Sequence, residues 1–251
     1  MNTTLILARR AFREGIRQPD ALLPTLFIPL FFLIVNVGQA AKIFPTSGTP
    51  FLAGQNYAAF QLPMSLITAA SFGTAALYLV EEIEGGYFDK LRATPIPRAS
   101  IVLGRLLAEV PKSILISTVM ILVAFPFGVR IRAGIGGYLL IVLLIAGWAL
   151  VFSGLMQLLA LKTRSAAATN SGSLVFFPLL FLTPSLVPRE QLSRPMEIAA
   201  SLNPVTYVME TARSLTLYGY QWATIGRGFL VVGVGLAATL ALSVRAVNRY
   251  D

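Results

Sequence analysis

The residues able to do chemistry gather in three places. Glu81, Glu82, Glu84, Asp89, Lys90 and Arg92 crowd one short segment, Glu109 and Lys112 lie three residues apart, and Glu210 and Arg213 repeat that spacing. A separation of three places both side chains on one helix face, which suits an ion pair. For Glu109 and Lys112 the spacing predicts a pair near the membrane interface rather than a catalytic dyad. The chain has no Cys and no His. Disulfides, thiolate chemistry, the usual zinc sites and a histidine-activated nucleophile are therefore excluded, and no metal site is expected.

ATP hydrolysis within the chain would need a phosphate-cradling loop ending in Gly-Lys-Ser or Gly-Lys-Thr. Lys42 follows Ala41, Lys90 follows Asp89, Lys112 follows Pro111 and Lys162 follows Leu161. No such loop exists, so the chain is not expected to be an enzyme, and any ATPase must be another chain.

The elements that position these residues follow from composition. Of 251 residues, 56% are hydrophobic and 12% charged, with a mean hydropathy of +0.74. A surface facing water needs more charge than this, whereas a surface facing lipid does not. The net charge of +9 sits at the ends of apolar runs rather than on one face. That pattern fits membrane topology, and no nucleic-acid partner is expected.

A helix needs roughly 20 residues to cross about 30 Å of hydrocarbon. The apolar runs predict an all-α integral membrane protein forming one transmembrane domain over 1–251, with six spans at about 21–41, 57–80, 100–127, 135–161, 166–187 and 222–244. Pro111 and Pro126 are expected to bend the third, and Arg227 to extend its side chain to the interface from the sixth. Residues 1–20, where Leu5, Ala8, Phe12 and Ile16 recur beside Arg9, Arg10, Arg13 and Arg17, predict a retained amphipathic helix in the headgroup layer.

Cytoplasmic flanks retain an excess of Lys and Arg. With an inside N-terminus, Arg9, Arg10, Arg13, Arg17, Lys90, Arg92, Arg98, Arg105, Lys162, Arg164, Arg245 and Arg249 fall inside. Lys42, Arg130, Arg132, Arg189, Arg194, Arg213 and Arg227 fall outside. Both termini are then cytoplasmic. Residues 81–97, limited by Gly85, Gly86, Pro95 and Pro97, form at most a short helix inside. Residues 189–220 are too polar to cross alone and too apolar for a free loop, which predicts an external re-entrant or interfacial helix pair. There Asn203 and Pro204 suit a helix start, Tyr207 an interfacial anchor, and Glu210 with Arg213 an ion pair or the lining of an external gate.

The order Glu84-Gly85-Gly86-Tyr87-Phe88-Asp89-Lys90-Leu91-Arg92-Ala93-Thr94-Pro95, continued by Arg98, Leu103-Gly104-Arg105 and Leu107-Ala108, resembles the type-2 permeases of ABC exporters, especially their daunorubicin-resistance-like branch. Leu202-Asn203-Pro204-Val205-Thr206-Tyr207-Val208-Met209-Glu210-Thr211-Ala212-Arg213 is similar to that family's segment before its last span, with Glu210 where relatives often carry aspartate. The resemblance covers essentially the whole chain. It implies that 81–97 is a coupling helix docking on an ATP-binding-cassette ATPase through Glu81, Glu84, Gly85, Asp89, Arg92 and Pro95. It implies that ATP and Mg are bound by that partner, with no cofactor in this chain. It also implies a second membrane subunit, identical or paralogous, and export of an amphipathic or hydrophobic drug, antibiotic or lipid.

Without the resemblance, a solvated loop whose charges only enforce topology accounts for 81–97 equally well. The competing functions are a lipid-modifying membrane enzyme and an ion-coupled secondary transporter. No internal repeat relates the first three spans to the last three, which weighs against the latter. The retained N-terminus and two-part plan suggest a bacterial inner membrane.

Overall fold

A computed structural model describes residues 3–17, 19–72 and 75–248; Arg249 and residues 1, 2 and 18 of the expected N-terminal helix lie outside this set. Among the described residues every regular element is helical: α1 Thr3–Arg17, α2 Pro19–Ala40, α3 Tyr57–Ser71, α4 Ala75–Glu84, α5 Tyr87–Arg92 and α6 Arg98–Ala124. The chain continues with α7 Gly134–Thr163, α8 Ala166–Ser173, α9 Phe176–Phe181, α10 Arg194–Leu202, α11 Pro204–Leu217 and α12 Trp222–Asn248.

Four stretches among the described residues are long and apolar enough to cross a bilayer: Leu23–Ala40, Arg98–Phe127, Gly134–Thr163 and Trp222–Val247. The other two expected spans are divided. α3 ends at Ser71, where Phe72 leaves helical geometry at φ −84°, ψ 27°, and α4 begins at Ala75. Stretch 166–187 breaks after Ser173, where Leu174 and Val175 donate three residues back to Ser171 (3.2 Å) and Gly172 (3.2 Å). Pro178 explains this locally, because its ring clashes with the carbonyl four residues earlier in a continuous α-helix.

α3 occupies the centre, with α2, α6, α7 and α11 packed around it, and all its residues are buried. Several of its polar side chains bond back to carbonyls of their own helix or across to a neighbour. Thr68 donates to Met64 O (2.8 Å) and Ser71 to Ile67 O (2.9 Å). Trp148 Nε1 on α7 donates to Ser71 Oγ (2.9 Å).

Small residues let the long helices approach closely. A Cβ at Gly147 of α7 would lie 2.6 Å from Val232 Cγ1 of α12, and one at Gly235 of α12 would lie 3.0 Å from Val151 Cγ1. α1 is seated on the first turns of α6: a Cβ at Gly104 would meet Leu7 Cβ at 2.7 Å, and Thr4 Oγ1 donates to Ser100 Oγ (3.1 Å). Leu5, Ile6 and Ile16 remain exposed along α1. The amphipathic character expected of this helix thus has two apolar sides, one packed on α6 and one open.

Candidate functional site

The charged segment between α3 and α6 folds as two short helices meeting at a turn. Gly85 N–H still bonds Glu81 O (2.8 Å), so it ends α4. Gly86, at φ +69°, makes the turn in a left-handed conformation that other residues adopt at a cost. α5 then presents Asp89 and Lys90 outward while Phe88 is fully buried as its anchor. Glu81 and Pro95 are exposed. Arg92 closes α5, and its side chain lies outside the described set.

The acidic run divides its work. Glu82 is buried and ion-paired with Arg10 of α1 (3.0 Å) and Arg105 of α6 (2.5 Å). Arg10 also sits over the Tyr87 ring at 4.4 Å, where the ring face attracts the cation. Glu84 Oε1 accepts the Ala166 N–H (3.0 Å). A carboxylate there satisfies an orphan donor at the start of α8 and faces the positive end of that helix. Three neighbours of the segment, α1, α6 and α8, are therefore bonded to it. Glu109 and Lys112 form the expected pair at 2.6 Å, buried beneath α1 beside Phe12, Gly15 and Tyr78.

The second site lies at the other end of the bundle, where the α11 end is bonded to the α7 start by Ala133 N–H to Leu215 O (3.1 Å). Asn203 caps α11, its Oδ1 accepting from Val205 N–H (3.0 Å), and Pro204 takes the first helical position. Asn203 Nδ2 donates to Leu179 O (2.5 Å), which ties the cap to α9. Tyr207 OH donates to Ser201 O (2.7 Å) and so joins α11 to α10.

Glu210 does not pair with Arg213 as its spacing predicts. Arg189 takes its carboxylate in a two-point contact, Nε to Oε1 at 2.9 Å and Nη2 to Oε2 at 2.8 Å. That fork geometry is stronger than a single-point contact along the helix. Burial pushes the Glu210 carboxyl above its ordinary value, and the Arg189 guanidinium opposes that shift. Arg213 instead turns inward. Its Nη1 donates to Pro184 O (2.9 Å), its Nε to Phe60 O (3.3 Å), and its guanidinium stacks 3.5 Å from the Phe60 ring centre. Glu210, Arg213 and Arg189 line one cleft of about 320 Å³ with Glu190, Tyr218 and Arg227.

Arg10, Glu82, Arg105 and Arg189 are the site residues that sequence reasoning missed. Their partners are 72, 23 and 21 residues away, and helical spacing carries no signal at that range. On α9, Phe176 is buried against Phe152, and Phe181 is exposed.

Long apolar helices, with a polar segment bonded to three neighbours at one end and a charged cleft at the other, are the architecture of a polytopic membrane protein. The chain belongs to the ABC-2 type transporter family, whose model matches residues 2–217. It is 24% identical over 247 residues to the daunorubicin resistance ABC transporter permease protein DrrB1 of Streptomyces coeruleorubidus, covering 96% of this chain and 84% of that one. It is 22% identical over 256 residues to the probable doxorubicin resistance ABC transporter permease protein DrrC of Mycobacterium tuberculosis, covering 98% and 90%. ABC transporter G family member 20 of Dictyostelium discoideum is 27% identical over 184 residues, covering 71% of this chain and 24% of that protein.

Proposed function

We propose that this chain is the membrane subunit of an ATP-driven exporter, and that a separate nucleotide-binding chain docks on residues 81–97. One observation carries the reading: α5 is exposed on its charged side, while the segment that bears it is bonded inward to α1, α6 and α8 through Glu82 and Glu84. A push on α5 is delivered to all three neighbours. Glu81, Asp89, Arg92 and Pro95 contact the partner in this reading. Glu84 holds α8, and Gly85 with Gly86 sets the angle of α5. ATP and Mg belong to the partner.

The divided stretches 57–80 and 166–187 complete six crossings, with both termini inside a bacterial inner membrane. Two such subunits, identical or paralogous, assemble with two ATPases, and cargo passes between the membrane subunits. The segment 189–220 gates the outer mouth through Asn203, Pro204, Tyr207, Glu210 and Arg213. Relatives named for daunorubicin and doxorubicin resistance support an amphipathic cargo.

The test is copurification with candidate ABC ATPases, followed by ATP hydrolysis and transport in liposomes. Glu84→Lys, Asp89→Lys and Arg92→Glu together are expected to abolish transport and release the ATPase. Undiminished transport by that variant, or a chain that transports alone while dissipating an ion gradient, would sink the reading.

A further inference from the structure

Between the last turns of α7 and α12, at the same end of the bundle as α4 and α5, lies a cavity of about 500 Å³. Leu158, Leu161 and Leu242 form its apolar part, and Lys162, Arg164 and Arg245 its charged part. All three cations are exposed. No carboxylate among the described residues lines the cavity.

The backbone builds this arrangement. α7 closes at Arg164, which adopts a left-handed conformation at φ +52°, its N–H bonded to Ala160 O (2.9 Å). The residue thereby leaves the helix axis at the cavity. α12 is held against α7 one to two turns away, where a Cβ at Gly154 would lie 3.0 Å from Thr239 Cβ and Ser243 Oγ donates to Gly154 O (3.4 Å). Lys162 and Arg245 thus come from two helices joined at a close contact, and they share one groove.

A groove whose described lining sets leucines on one side and cations on the other, at the ends of two helices long enough to cross a membrane, has a specific chemical complement. The leucines accept an acyl chain, and the cations accept a phosphate at headgroup depth. A zwitterionic headgroup adds an ammonium, which this charged part repels. We propose that the α7–α12 groove is a binding site for an anionic phospholipid, with its headgroup at Lys162, Arg164 and Arg245 and its chain along Leu158, Leu161 and Leu242. The site rests on the membrane setting of the chain and not on the export reading.

The experiment uses the full chain purified in a neutral detergent. Dioctanoyl phosphatidylglycerol, dioctanoyl phosphatidylcholine and inorganic phosphate are titrated separately, and binding is read by thermal shift and by lipid adducts in native mass spectrometry. Phosphatidylglycerol is expected to bind at least about tenfold more tightly than phosphatidylcholine, and inorganic phosphate to leave the melting temperature unchanged. Each cation removed is expected to weaken phosphatidylglycerol binding by about fivefold, so Lys162→Gln with Arg245→Gln weakens it by about 25-fold. The single variants serve if the double one does not fold. Lys42→Gln with Arg130→Gln, which removes equal charge elsewhere, is expected to have no effect, and Leu242→Ser to weaken lipid binding. Equal affinity for both lipids, a shift reproduced by phosphate alone, or unchanged binding by the Lys162 and Arg245 variants overturns the proposal. So does a groove that takes no lipid and instead protects its cations only when an acidic partner chain is bound.

Discussion

Glu82 shares one carboxylate between Arg10 and Arg105, and the two contacts are not equal. The Arg105 and Glu82 side chains are 7% and 10% exposed, whereas Arg10 is 41% exposed. Removing one partner of a buried pair leaves an uncompensated charge, at a cost of roughly 3 kcal/mol, whereas an exposed pair contributes about 1 kcal/mol or less. Glu82→Gln is therefore expected to lower the melting temperature well below that of Arg10→Gln, as measured by thermal unfolding in detergent. Equal shifts would contradict the arrangement. At the other end, Asn203→Ala removes both the α11 cap and the tie to Leu179 O, for about 1 kcal/mol and a fall of roughly 2–4 °C. At this scale the sequence revealed residue types and near neighbours. The Glu109–Lys112 pair and the Asn203 cap were legible because each is local. The Glu82 cluster and the Arg189–Glu210 pair were not, because helix packing makes them.

The elements divide in the same way. The long helices α2, α6, α7 and α12 were legible because a predominantly apolar run of that length has few alternatives to crossing a membrane. The breaks in 57–80 and 166–187 were not, although Pro178 stood in the second, because length and lack of charge outweigh a single residue in such a stretch. Nor did the apolar pattern of α1 reveal that Leu7 would be seated against Gly104. Two outcomes test the packing. Gly147→Leu places a branched chain where Val232 already lies 2.6 Å from a Cβ, and it is expected to destabilise by about 1–3 kcal/mol. A variant as stable as the parent would contradict the close approach of α7 and α12. Glu84→Gln keeps an acceptor for the Ala166 N–H but removes the charge facing α8. It is expected to preserve ATPase binding while lowering transport per ATP hydrolysed, measured with both activities in the same liposomes. A matching loss of ATPase binding would make Glu84 a docking residue instead.

At the scale of the whole molecule, the proposed function places ATP hydrolysis on one chain and passage on another. The lysine inventory leaves no phosphate-cradling loop in the chain, membership of the ABC-2 type transporter family makes it a membrane permease, and α5 is exposed with Phe88 as its buried anchor. The lack of cysteine permits a direct measurement of whether an ATPase docks on α5. Asp89→Cys gives the chain a single thiol on α5, and Arg194→Cys gives a single thiol at the other end of the bundle. Each variant is coexpressed with the candidate ATPase, treated in membranes with a short thiol-to-amine cross-linker, and resolved by size. A one-to-one adduct with the ATPase is expected from the position-89 thiol, diminished when Glu84→Lys and Arg92→Glu are added, and none is expected from position 194. No adduct from position 89, or equal adducts from both positions, would contradict docking on α5.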